Sequence, residues 1–164
     1  MDNTYDCNTN TFNNLTSLTA SSFNYTEAAV TYTGAYQPFY ATGGSAGVDL
    51  AVNNDFVIEP HAKMKIPLGI KMSIPVGYVG LLIGRSSMGA KGLVLANAVG
   101  VIDSDYRGEI IALMHNTNNF PVSIMKGDRI AQLLIMPVAQ PKFVIANELD
   151  DTARGTGGFG STGE

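Results

Sequence analysis

The stretch Gly100 to Glu109 reads GVIDSDYRGE, with acids at Asp103, Asp105 and Glu109, a tyrosine at Tyr106 and an arginine at Arg107. A turn alone needs only Asp and Gly. A carboxylate within hydrogen-bond reach of a water can serve as a general base, and a guanidinium can hold an anion. The extra chemistry therefore points to a pocket for a polar, anionic ligand. The chain has four arginines, Arg85, Arg107, Arg129 and Arg154, each in a turn-flanked or Gly-rich segment. Most of its lysines fall on strand faces or in ordinary loops. The planar arginine fork suits bidentate phosphate contact, so this placement fits a phosphate cradle. Four unrelated surface charges are the plainer alternative.

The neighbours of these arginines carry more of the same chemistry. GRSSMGAKG places Arg85, Ser86 and Ser87 where a short helix is predicted over Ser86–Gly92, with a Ser N-cap and a Gly stop. Free backbone N–H groups at such a start favour an anion. GDRIAQLLI, from Gly127, is a turn feeding a buried strand whose apolar run is interrupted by Gln132; a buried Gln is either a member of a structural network or a ligand contact. AGVDL puts Asp49 at the start of another strand. The closing RGTGGFGSTG could wrap a phosphate with backbone amides, with hydroxyls from Ser161 and Thr162. Arg154 and Phe159 are odd residues for a mere spacer.

These residues must be positioned by strands. Ile66, Leu68, Ile70, Met72 and Ile74 alternate with Lys65, Pro67, Gly69, Lys71 and Ser73, the pattern of a half-buried strand. Further strands are predicted at Tyr78–Ile83, Leu93–Ala96, Ile110–Met114, Val122–Met125, Ile130–Met136 and Phe143–Ile145, separated by Gly, Pro, Asn or Asp. No long segment keeps a helical period. The expected architecture is an all-β sandwich or jelly-roll-like barrel. Residues 1–27, dominated by Asn, Thr and Ser, are expected to form a flexible arm, with a strand pairing to a neighbouring subunit as the alternative. Residues 28–149 form the β domain and 150–164 a Gly-rich tail.

Composition narrows the class. The 164 residues suit one domain with its own core. A formal net charge of −4 argues against a general nucleic-acid binder. Cys7 is the single cysteine, so no intrachain disulfide is available. No apolar run reaches a membrane span or forms a signal-peptide core, which leads to an expected cytoplasmic location, with the nucleus or the cytosol of a virus-infected host left open. The glycosylation sequons at Asn14 and Asn24 are read as accidents of an Asn/Thr-rich tract.

AGVDL, GRSS, GVIDSDYRGE, GDRIAQL and RGTGGFGSTG, in that order, resemble the five motifs of the trimeric deoxyuridine triphosphatases (dUTPases), over a span from about Ala28 to the end. The resemblance implies a jelly-roll-like β-barrel of the dUTPase type, a homotrimer with active sites shared between subunits, and a flexible C-terminal arm that closes over the site. It implies Mg(II)-dependent hydrolysis of dUTP to dUMP and pyrophosphate, which keeps uracil out of DNA and supplies dUMP for thymidylate synthesis. Asp103 would activate the water that attacks the α-phosphorus, and Tyr106 would pack on the deoxyribose and exclude a 2′-hydroxyl. Asn97 and the hairpin from Ala98 through Gly100 and Val101 would read uracil. Arg85, Ser86, Ser87 and Gln132 would bind phosphates, and Asp49 would steady magnesium through water. Phe159 would stack on the base, while Arg154, Gly157, Gly160, Ser161 and Thr162 close on the phosphates. Arg107 and Arg129 would hold subunit or second-layer ion pairs, for instance with Glu109 or Asp105. Val48 departs from the usual aromatic residue of the first motif, and the loop from Lys91 to Asn97 lacks a histidine often present there.

Two rivals are weighed. The related dCTP deaminases share a GRSS-like turn, but their catalytic glutamate would fall near Leu113, and leucine cannot transfer a proton. A non-catalytic jelly-roll protein that binds nucleotide is disfavoured because Asp103 is present together with the phosphate set.

Overall fold

In a computed structural model, residues 29–158 are described, along with two short N-terminal strands, β1 (Tyr5–Asp6) and β2 (Thr11–Phe12), which pair with each other. The rest is almost entirely strand: β3 (Thr31–Gly34), β4 (Val48–Ala51), β5 (Phe56–Ile58), β6 (Lys63–Ser73), β7 (Tyr78–Gly84), β8 (Leu93–Leu95), β9 (Val99–Ile102), β10 (Glu109–Asn116), β11 (Val122–Ile124) and β12 (Arg129–Pro137). Among the described residues the one helix, α1 (Ser86–Ala90), follows β7. Two antiparallel four-stranded sheets, ordered β3-β6-β10-β8 and β4-β12-β7-β9, are joined by the small β11-β5 pair. This is the expected all-β, jelly-roll-like barrel. No helix among the described residues is long and apolar enough to cross a membrane.

The core is what the alternation demanded. Ile66, Leu68, Ile70 and Met72 of β6 all point inward and meet Ile110, Ala112 and Met114 of β10, Leu82 of β7 and Ile130 and Leu133 of β12 in one buried cluster. Each of the Ile, Leu and Met side chains contributes about 1.5–3 kcal/mol by leaving water. Asn116, fully buried at the end of β10, donates to the carbonyls of Ile58 (2.9 Å) and Phe120 (2.8 Å) and accepts from the Asn118 N–H. It pins β5 and the β10–β11 loop to the core with its polar atoms satisfied.

Two irregularities matter for function. Between β10 and β6 the register shifts: Glu109 faces Lys71 while Ile111 faces Pro67, and the excess on β6 contains Gly69 at φ +66°. Between β12 and β4 it shifts again, with Arg129 opposite Ala51 and Ala131 opposite Leu50. Bulges of this kind turn a strand and re-aim its side chains.

Two sequence expectations fail. Phe143–Ile145 forms no strand: these residues lie in an extended stretch after β12, with Phe143 94% and Ile145 97% exposed. Their β-branched composition was a true signal of strand preference, but they have no partner strand among the described residues. The predicted Ser N-cap is also wrong. Arg85 occupies the cap position in extended conformation, without a side-chain capping bond, and Ser86 and Ser87 are the first helical residues. The Gly stop holds, since Gly92 takes φ +74° just after the helix.

Candidate active site

The connection from β9 to β10 carries the chain from one sheet to the other, and it is built from Asp103 to Gly108. The turn is closed by Tyr106 N–H donating to Asp103 O at 3.1 Å. The Tyr106 hydroxyl donates to Glu109 O at 2.9 Å, which folds the ring back across Gly108. A Cβ on Gly108 would collide with the Tyr106 ring and hydroxyl; the glycine is needed there for close approach. On the side of this corner, Asn97, Gly100, Val101, Ile102, Asp103, Tyr106, Glu109, Ile110 and Ile111 line a cavity of about 260 Å³. The residues expected to read base and sugar and to activate water are thus brought together.

One wall of that cavity is the strand edge of β9, through Gly100, Val101 and Ile102. β9 pairs with β7 on one side only and is the edge of its sheet. Alternate residues of such an edge direct N–H and C=O groups away from the sheet. β8 and β9 lie in different sheets, so the expected hairpin is instead a corner between sheets. The connection into β9 is a tight turn, with Val99 N–H donating to Asn97 O at 2.6 Å and Ala98 at φ +59°. A non-Gly residue held there costs about 1–3 kcal/mol and marks a backbone whose path is over-determined by its surroundings. The Asn97 amide donates to Val99 O at 3.2 Å and braces the same turn.

A second cluster lies where β4, β7 and β12 meet. Asp49, only 8% exposed, pairs with Arg85 (Oδ1 to Nε, 2.9 Å) and with Arg129 (Oδ2 to Nη1, 3.0 Å). Arg85 also donates to Arg129 O at 2.8 Å, and the Arg129 guanidinium stands 5.7 Å from the Phe39 ring centroid. The bulge in β12 aims Arg129 at Asp49. Gln132, paired in register with Asp49, donates to Gly84 O at 3.2 Å, which ties β12 to the turn before α1. Ser86 and Ser87 open α1 beside this cluster, but none of Arg85, Ser86, Ser87, Gln132 or Asp49 lines the Asp103–Tyr106 cavity. Within one chain the two halves of the expected site stay apart.

Within one chain, Arg107 and Arg129 take partners other than Glu109 and Asp105. Arg129 takes Asp49 as its partner, not Glu109 or Asp105. Arg107 donates to the carbonyls of Ser104 (2.6 Å) and Tyr106 (2.9 Å) and stiffens its own turn. Glu109 instead accepts the Gly69 N–H at 2.7 Å. The sequence hid these choices because each depends on a bulge or a turn path that no local spacing encodes. Among the described residues, no group of three or more His, Cys, Asp or Glu side chains could hold a metal.

At the C-terminal end, Arg154 wraps onto Gly157, with Nε to Gly157 O at 2.8 Å and Gly157 N–H to Arg154 O at 3.0 Å. Neither residue reaches the cavity in this chain. Phe159, Gly160, Ser161 and Thr162 lie outside the described residues.

Fold and site together define the class: a jelly-roll-like β-barrel with a carboxylate–tyrosine cavity at a sheet corner and an arginine-clamped acid on an adjacent rim. The dUTPase family model matches residues 35–163. The deoxyuridine 5′-triphosphate nucleotidohydrolase of Desulfitobacterium hafniense is 49% identical over 130 residues, covering 77% of this chain and 86% of that protein. That of Pseudomonas entomophila is 47% identical over the same length and coverage. Among solved structures, the Staphylococcus bacteriophage 80alpha dUTPase with dUPNHPP aligns at a TM-score of 0.78, with 29% identity over 83% of this chain and 99% of that one. A point-mutant dUTPase from phage phi11 of S. aureus, whose structure concerns a structural Mg(II) ion, aligns at 0.68 with 26% identity over 73% and 97%. The chain belongs to the dUTPase family.

Proposed function

We propose that this protein hydrolyses dUTP to dUMP and pyrophosphate, with uracil and deoxyribose bound in the Asp103–Tyr106 cavity. One observation carries the reading: a carboxylate, an aromatic ring and an open main-chain edge converge on one cavity of about 260 Å³. In this reading the edge of β9 offers main-chain donors and acceptors to uracil, and the tight turn at Asn97–Val99 excludes thymine's methyl. A site built around specific hydrogen bonds rejects a mismatched base strongly, because its polar groups are left unpaired. The Tyr106 ring covers the sugar where a 2′-hydroxyl would project. Asp103 orients a water and takes its proton as the water attacks the α-phosphorus, and pyrophosphate leaves.

Arg85, Ser86, Ser87 and Gln132 bind the phosphate chain in this reading. Because they stand apart from the cavity, a complete site draws them from another copy of the chain, as a homotrimer with shared sites provides. The exposed apolar run of Phe143, Val144, Ile145 and Leu149 supports such an assembly, since nothing among the described residues covers it. The Gly-rich tail from about residue 150, with Arg154, Gly157, Phe159, Gly160, Ser161 and Thr162, serves as a lid that excludes water when substrate is bound.

The donor set fits a magnesium ion held mainly by substrate phosphates. Both Asp49 oxygens are engaged by guanidinium groups, so Asp49 reaches such an ion through water. When bound, Mg(II) supplies charge neutralisation on the phosphates and the departing pyrophosphate.

The deciding experiment is to incubate the protein with each deoxynucleoside triphosphate and Mg(II) and to assay pyrophosphate and ammonia. Pyrophosphate from dUTP alone is expected. Ammonia from dCTP would move the chain to the deaminase branch.

A further inference from the structure

We infer that Glu109 is a positioning residue for the sugar gate, acting as a clasp between the bulge in β6 and the ring of Tyr106. The inference rests on the proposed reading of Tyr106 as the group that excludes a 2′-hydroxyl. Glu109 is the first residue of β10, at the point where the β10–β6 register breaks. Its side chain and its main chain do different jobs. Carboxylate Oε1 accepts the Gly69 N–H at 2.7 Å, and the backbone carbonyl accepts the Tyr106 hydroxyl at 2.9 Å.

The bulge explains why the first bond is needed. Gly69 lies in the excess of β6, where its N–H loses the regular ladder partner, and a half-buried donor left unpaired is costly. The carboxylate supplies that partner. Gly69 in turn cannot move freely or be replaced, since it holds φ +66° and a Cβ there would run into the Asn53 side chain. The anchor is therefore rigid. Through it, the Glu109 backbone is fixed relative to β6, and the carbonyl that receives the Tyr106 hydroxyl is fixed with it. Gly108 allows the ring to lie across the turn, but only the Glu109 carbonyl decides where the hydroxyl stops.

The carboxylate thus sets the depth of the sugar gate through its bond to the Gly69 N–H. Loss of the clasp releases the first turn of β10, widens the place where a 2′-hydroxyl would fall, and weakens sugar discrimination more than it slows the chemical step.

The test measures kcat and KM for dUTP and UTP, with UTP also assayed as a competitive inhibitor, on the full chain with Mg(II). Glu109→Ala is expected to lower the preference for dUTP over UTP by about 10-fold, the order expected for losing one hydrogen bond to a charged group, mainly through KM. Glu109→Gln keeps an acceptor for the Gly69 N–H and restores most of the preference. If Glu109→Ala does not fold, Glu109→Asp, which keeps the charge but shortens the reach, is expected to show the same loss. A variant with a lowered melting temperature and an unchanged sugar preference would overturn the clasp. Tyr106→Ala separates the two ideas. If it keeps the wild-type preference, the sugar-gate reading fails; if it loses the preference while Glu109→Ala and Glu109→Asp keep it, the clasp alone fails.

Discussion

Asp49 Oδ1 lies 2.9 Å from Arg85 Nε, so the acid expected near a metal and an arginine expected at phosphate are partners within one chain. The pair holds the guanidinium in place before substrate arrives. A cation already oriented by a buried carboxylate needs less reorganisation when a phosphate is presented to it.

Asp49→Asn removes the counter-charge from both Arg85 and Arg129. It is expected to cost about 1–3 kcal/mol, less than a fully buried pair because both arginines retain some solvent. The readout is a lower urea midpoint at unchanged slope and fixed protein concentration. Arg129→Ala leaves the Asp49–Arg85 pair intact and is expected to cost under about 1 kcal/mol. A larger loss in Arg129→Ala than in Asp49→Asn would contradict this ranking.

Asp103→Asn keeps the shape of the cavity and removes the base. It is expected to bind dUTP nearly normally and to turn it over at least ~100-fold more slowly. Steady-state kinetics together with calorimetric binding check both halves. Turnover near the wild-type rate would sink the assignment.

Gly108→Ala forces the Tyr106 ring out of its present position, since no space exists for the methyl group. The expected outcome is a raised KM for dUTP with the fold retained by circular dichroism. An unaltered KM would show that the ring position seen here is not the binding position.

Deletion of residues 153–164 tests the lid. Most turnover is expected to be lost, while the oligomeric mass by light scattering stays as in the full chain. A fully active truncation would reduce the tail to a spacer.

The barrel was legible because its longest strand keeps a strict two-residue alternation, and that period survives even the bulge at Gly69. The cavity residues were legible because they sit within a few positions of one another along β9 and its turn. Arg85, Arg129 and Glu109 were identified as important types but given other partners. Those partners lie 36 (Asp49–Arg85), 80 (Asp49–Arg129) and 40 (Gly69–Glu109) positions away along the chain, and bulges in β12 and β6 select two of them. Phe143–Ile145 shows the opposite failure. Its local preference for a strand is real, but a strand also needs a neighbour.

The strained turn at Ala98 and the unpaired edge of β9 have a consequence for how this protein can change. On the proposed reading, base choice is written in the path of the main chain, while the side chain of Val99, which does not line the cavity, is 42% exposed. Substitutions at Val99 can accumulate without altering which nucleobase is accepted. A shift to another base would require a different turn before β9, an insertion or deletion that reroutes the backbone. Selectivity of this kind is robust to point mutation and correspondingly hard to retune one residue at a time.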